Sequence, residues 1–166
     1  LPLMYDGCDN TKIDNKWLLD EIKSFEENTD LKPLSVSLLK SKVQDYFSKE
    51  NTALFFPETG ETEQLAQEYL LLGGQRMRPL MSVLSYLAYS KNDDETILSS
   101  LSMIIECFHK ASLIHDDIQD EADLRYKKAT AHKEHGIPLA INLGDYLIGK
   151  GYQILSGLPV EDRLIL

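Results

Sequence analysis

The chain has 166 residues, of which 43% are hydrophobic and 27% charged, so it can bury one sizeable core and is too apolar for wholesale disorder. Seventeen Lys and Arg against 27 Asp and Glu leave a net charge of -10, which disfavours binding to nucleic-acid backbones or anionic membranes. Cys8 and Cys107 lie far apart and form neither a disulfide framework nor a zinc motif, as in a reducing compartment. No uninterrupted apolar run reaches the roughly 18 residues of a transmembrane segment. The N-terminal stretch is polar and acidic and does not read as a signal peptide. The expected location is cytoplasmic.

Residues 1–32 read as a lead-in segment with one short helix around Trp17–Phe25, and residues 33–166 as a helical domain. Pro33 suits a helix N-terminus. Leu34, Leu38, Leu39, Val43, Tyr46 and Phe47 then recur at helical spacing until Phe55-Phe56-Pro57 ends the element. A helix is predicted over Thr62–Leu72, stopping at Gly73-Gly74. Pro79 opens another over Leu80–Tyr89, apolar on almost every side, and Lys91–Glu95 makes an acidic turn. Thr96–Ile118 is the longest helical pattern, roughly 30 Å at 1.5 Å per residue. A last helix runs from Pro138 to about Leu155, and Gly157 and Pro159 break it. Nothing alternates with period two for long enough to predict a strand. The expected fold class is all-α, with at least five helices joined by short loops.

Asp116 and Asp120 stand four apart, on one face of a helix one turn from each other. Close carboxylates repel unless a hard divalent cation sits between them, and Mg2+ prefers such oxygen ligands together with substrate phosphates. His109, Ser112, Asp116 and Asp120 share one stripe, so the carboxylates cap a wall whose earlier turns are expected to line a deep apolar cavity. A phosphate head with a hydrocarbon tail would suit it. An acidic run at a helix end equally fits a solvated face, although this one follows directly on Ser112-Leu113-Ile114. A second constellation is Gly73-Gly74-Gln75-Arg76-Met77-Arg78-Pro79. Two glycines allow close approach of a ligand, and two arginines can fork onto phosphate oxygens. A helix end followed by two surface arginines is the alternative. Arg125, Lys127, Lys128 and Lys133 form a third basic group.

In this order, the motifs resemble the trans-isoprenyl diphosphate synthases, or polyprenyl synthetases. That family's N-terminal signatures are GGKRxRP and DDxxD; they read here as GGQRMRP over Gly73–Pro79 and as SLIHDDIQDEADLRYKKATAH over Ser112–His132. The stretch Asn142-Leu143-Gly144-Asp145-Tyr146-Leu147 resembles the family's GD-containing helix. The resemblance covers about Leu65 to Leu155. It implies an isoprenoid-synthase helical bundle, of which this is the N-terminal half, and head-to-tail prenyl transfer. Asp116 and Asp120, with Asp117 in support, would bind Mg2+ and through it an allylic prenyl diphosphate. Arg125 would contact that diphosphate, making Asp116, Asp120 and Arg125 the catalytic set. Gly73, Gly74, Gln75, Arg76 and Tyr126 would serve isopentenyl diphosphate. A homodimer or heterodimer is expected.

Three departures accompany the resemblance. Gln75 stands in place of a lysine, and Tyr126 and Lys127 replace an arginine and a glycine. Loss of two charge-assisted contacts would weaken the acceptor half by about 1.5–3 kcal/mol each. No second aspartate-rich motif follows Asp145, so the metal site would be completed by more chain or by a partner. Just upstream of the aspartates, Ala111 and Ser112 are small, and Phe108 would be a deeper cavity floor, which implies a product or substrate longer than fifteen carbons. Three other readings compete: a type I terpene cyclase or a prenyltransferase with another acceptor, a non-catalytic synthase subunit, and a metal phosphohydrolase. For the last, His109 and His115 point some 120° apart around a helix, at roughly 100° per residue, and are poorly set to share an ion.

Overall fold

The computed structural model describes residues 36–57, 60–90 and 93–159, which form seven helices and one small hairpin. The expected lead-in segment, its helix around Trp17–Phe25, and Pro33 lie outside the described residues. The first predicted helix is in fact two, α1 (Val36–Asp45) and α2 (Lys49–Phe55). Ser48 divides them by taking extended backbone and accepting a hydrogen bond from the Asn51 amide at 3.2 Å, which is a helix N-cap. Thr52 of α2 is fully buried and accepts a hydrogen bond from Gln67 at 3.2 Å, joining α2 to α3 (Glu61–Leu71).

α4 (Met77–Tyr89) starts a turn earlier than predicted, so Pro79 sits third, where a missing N–H costs nothing. α5 (Glu95–Gln119) is capped by Asp94, whose carboxylate accepts from the Thr96 amide at 2.7 Å. A two-stranded antiparallel hairpin, β1 (Leu124–Arg125) and β2 (Lys128–Ala129), follows, where no strand was predicted. Two residues per strand leave no periodicity to read. α6 (Ala131–His135) and α7 (Ile137–Gly157) complete the set, with Pro138 in the first turn of α7.

α5 is the axis of the domain. From Ile97 to Cys107 it is buried on nearly every side by α4 and α7, with Leu101, Met103 and Cys107 fully enclosed. Its length and hydropathy would allow it to cross a membrane, yet 67% of its apolar window is buried within the domain, so it serves as a core helix. α5 and α7 run antiparallel, and two large side chains of α5 drop onto two glycines of α7. Phe108 lies over Gly151 and His115 over Gly144; a Cβ added at these glycines would stand 2.8 Å from the Phe108 ring and would collide with His115 Nε2. The apolar cover is incomplete elsewhere. Met77, Met81 and Leu84 of α4 and Ile137, Ile141 and Tyr152 of α7 remain exposed among the described residues.

Phe108 also meets the ring of Tyr152 edge-on, centroids 5.1 Å apart, so both of its neighbours on α7 would have to shift if it moved. Gly151→Ala should therefore destabilise the domain by about 1–3 kcal/mol, the range for overpacking, measured as a lower midpoint of urea unfolding.

Candidate functional site

The C-terminus of α3 leaves backbone carbonyls without helical partners. Gly73 and Gly74 then reverse the chain with φ of +49° and +97°. Gly73 is required twice over, because Tyr126 Cγ lies 2.8 Å from where its Cβ would stand. The orphan carbonyls are taken by two buried cations. Arg76, itself at φ +53°, donates to the carbonyls of Leu70 at 2.9 Å and Leu71 at 3.3 Å, pairs with Glu106, and lies 4.3 Å from the Phe47 ring centroid. Lys110 donates to the Leu72 carbonyl, sits 3.9 Å from Glu106, and lies 4.7 Å from the Tyr126 ring centroid. Cations are favourable at a helix C-terminus, and these two are desolvated there.

Glu106 is the shared counter-ion of both, and its side chain is only 3% exposed. Replacing it with neutral Gln would strand two buried charges. Glu106→Gln should therefore cost about 3–5 kcal/mol in unfolding free energy, read by denaturant titration. Lys110 also has a pH signature. Burial pushes its ammonium down from 10.5 to about 8, a fall that Glu106 opposes and that Arg76 and Arg125 reinforce. Between those values the unfolded chain binds the extra proton, so folding strengthens as pH rises. Relative to Lys110→Met, the unmodified protein should gain stability from pH 8 toward 10.5, and the two curves should run parallel below pH 8.

Arg76 was expected to bind phosphate with Arg78, but the two differ in exposure and in partners. Arg76 is buried at 6% exposure, whereas Arg78 is exposed. Arg78 Nη1 donates to His109 Nε2 at 3.1 Å. Burial holds the His109 imidazole below its usual pKa; Glu106 opposes that shift and Arg78, Lys110 and Arg125 add to it. Neutral His109 accepts through Nε2 and thereby orients Arg78. Gly74, Gln75, Arg76, Arg78, His109 and Tyr126 line a cleft of about 290 Å3. Glu106 and Lys110 went unremarked because nothing in sequence marks a charge as buried.

Beyond Cys107, one face of α5 opens. His109 is half-buried, and Ser112, Asp116 and Asp120 are exposed in line. Asp116 and Asp120 lie at the last turn, the Asp120 amide donating to the Asp116 carbonyl at 2.8 Å. Neither carboxylate forms a hydrogen bond or ion pair among the described residues. This all-oxygen pair fits a hard divalent cation that takes its other ligands from water and phosphate. No group of three or more His, Cys, Asp or Glu forms among the described residues. The deep cavity expected beneath the stripe is not formed by the described residues, where the stripe is open surface.

Asp117 differs from its neighbours. It is 3% exposed and accepts from Arg125 Nε at 2.8 Å on both oxygens and from Nη2 at 2.6 Å. That carboxylate, proposed to support a metal, is thus engaged in holding the hairpin, and Arg125 is held with it. The bond to Asp117 raises the Arg125 pKa. At the hairpin tip, Tyr126 and Lys127 both have positive φ, +52° and +66°, as a type I′ turn requires. His115 Nε2 lies 3.5 Å from Asp145 Oδ1. Ala111 is buried in the core, whereas Ser112 is on the open stripe and Phe108 packs against Gly151 and Tyr152 of α7.

Comparison with known proteins follows the same outline. The polyprenyl synthetase family model matches residues 60–165. A geranylgeranyl pyrophosphate synthase of Geoglobus acetivorans is 40% identical over 91 residues, 55% of this chain and 28% of its own length. Geranylgeranyl pyrophosphate synthase 11 of Arabidopsis thaliana is 31% identical over 135 residues, 78% of this chain and 37% of its own. The crystal structure of an FPP/GFPP synthase from Zymomonas mobilis superposes with a TM-score of 0.59 at 32% identity, covering 72% of this chain and 44% of the other. The chain thus spans less than half the length of each of these relatives.

Proposed function

The chain belongs to the polyprenyl synthetase family, and from that premise we propose that the full-length protein transfers an allylic prenyl group to isopentenyl diphosphate. The observation that carries the reading is the open stripe of α5, which joins two places of opposite charge. One is the Arg78–His109 cleft; the other is the Asp116–Asp120 pair. Asp116 is seven positions after His109, roughly 10 Å along the axis. Two diphosphates can therefore lie side by side with their hydrocarbon parts over Ser112.

Asp116 and Asp120 would hold Mg2+, which when bound neutralises the charge that builds on a departing diphosphate. Arg78, oriented by neutral His109, would bind the acceptor diphosphate, with Gln75 and the Gly74 turn closing around it. Asp117 and Arg125 fix the hairpin, so Tyr126 stays against Gly73 as a wall of the cleft. Arg76 supports the turn from inside. Ser112 leaves room on the stripe, and the Phe108–Tyr152 pair would be its floor, in keeping with a product longer than fifteen carbons. The exposed apolar stripes of α4 and α7 would be covered by the rest of the protein or by a second subunit.

A second reading, a synthase subunit without its own acceptor chemistry, is favoured by Gln75 and Tyr126, which leave the cleft with fewer cations than the family pattern. Kinetics separates the two. In the full-length protein, Asp116→Asn and Asp120→Asn should each lower kcat/KM for the allylic diphosphate by at least about 10²-fold. Chelation by EDTA should abolish turnover, and added Mg2+ should restore it. A full-length protein inert toward isopentenyl diphosphate in saturating Mg2+ would exclude the synthase reading.

A further inference from the structure

Gln75 and Tyr126 leave the rim of the acceptor cleft short of positive charge, while a buried ammonium lies immediately behind its wall. We propose that Lys110 is a positioning residue for this cleft, supplying positive field from the interior and fixing Tyr126, which forms the wall. The proposal rests on the reading of the cleft as the acceptor-diphosphate site.

Three observations support it. First, the buried group of Arg76, Glu106 and Lys110 carries two cations against one carboxylate, with side chains 3–5% exposed. Of the nearby charges, Asp117 is already matched by Arg125, so the surplus positive charge is not cancelled within the core. A desolvated charge acts strongly on its surroundings and favours an anion nearby. Arg76 and Glu106 themselves line the cleft, which is therefore the direction in which that surplus meets open space.

Second, Tyr126 is the partition between the two compartments. It lines the cleft with Gln75 and Arg78, and it also lines a smaller enclosed pocket with Lys110, Asp117 and Arg125. Its ring lies over the Lys110 ammonium at 4.7 Å and against Gly73. A cation under an aromatic face holds the ring in place. Third, Lys110 donates to the Leu72 carbonyl, immediately before the Gly73-Gly74 turn. The same ammonium thereby ties the turn and the wall together.

Steady-state kinetics and calorimetry on the full-length protein test the proposal. Lys110→Gln removes the charge while keeping a donor for the Leu72 carbonyl, and Lys110→Met removes both. Each should raise KM for isopentenyl diphosphate by about tenfold, the worth of one charge-assisted contact, with kcat and the allylic KM within about twofold. Inorganic pyrophosphate should bind about tenfold more weakly to both variants. Combining either with Tyr126→Leu should add little, because the two residues act through one wall. An unchanged acceptor KM and pyrophosphate affinity in folded Lys110→Gln would overturn the proposal and leave the synthase reading standing. A uniform loss of kcat and both KM values, with a lower melting temperature, would also overturn it, as a purely structural lysine. If the unmodified protein binds pyrophosphate in a Lys110-dependent way but turns over no isopentenyl diphosphate, Lys110 keeps its role and the synthase reading fails.

Discussion

The buried carboxylate of Glu106 is the point on which the site depends. Through Arg76 and Lys110 it connects α5 to the last carbonyls of α3 and to the first residue before α4. Three chain segments meet there with almost no solvent to screen them, so the geometry of the Gly73–Arg78 turn is held by charge as well as by packing. Burying ions is costly, and such groups are weak contributors to net stability. Their value here is in direction: they hold a flexible, glycine-containing turn in one shape beside an open cleft.

α5 then acts as a ruler. Its first half is sealed by apolar neighbours, and its second half exposes one stripe on which His109, Ser112, Asp116 and Asp120 stand in register. Because the helix is pinned in the core at Leu101, Met103 and Cys107, the spacing between the basic cleft and the acidic pair is rigid. The two ends of the stripe carry opposite signs, Arg78 at one and the Asp116–Asp120 pair at the other. The Phe108–Gly151 and His115–Gly144 contacts set α7 alongside at a fixed height.

Much of this was legible in the sequence, and the limits have physical causes. Helical spacing located α3, α4, α5 and α7 because long amphipathic or apolar stretches leave a strong periodic record. The carboxylate pair could be placed on one face by geometry alone. Ser48 as a cap inside a continuous apolar pattern was missed, because a single polar residue does not outweigh its neighbours. The hairpin and α6 are too short to show any period. Arg76 and Arg78 look alike as letters and differ entirely in burial, as do Asp116 and Asp117. Which of two adjacent charges points inward is decided by tertiary partners, here Glu106 and Arg125, that lie far away or across a turn.

The hairpin tip has a consequence for how this region tolerates change. Tyr126 and Lys127 both occupy left-handed backbone that residues with a side chain adopt reluctantly, at about 1–3 kcal/mol each. At position 127 the side chain is exposed, so glycine there would relieve the backbone without loss of contact. At 126 the same relief would empty the space between Gly73 and Lys110. Adjacent positions with one conformation thus have opposite freedom to vary: one is a hinge pin that glycine could replace, the other a keystone whose bulk the neighbouring glycine has been cut to receive.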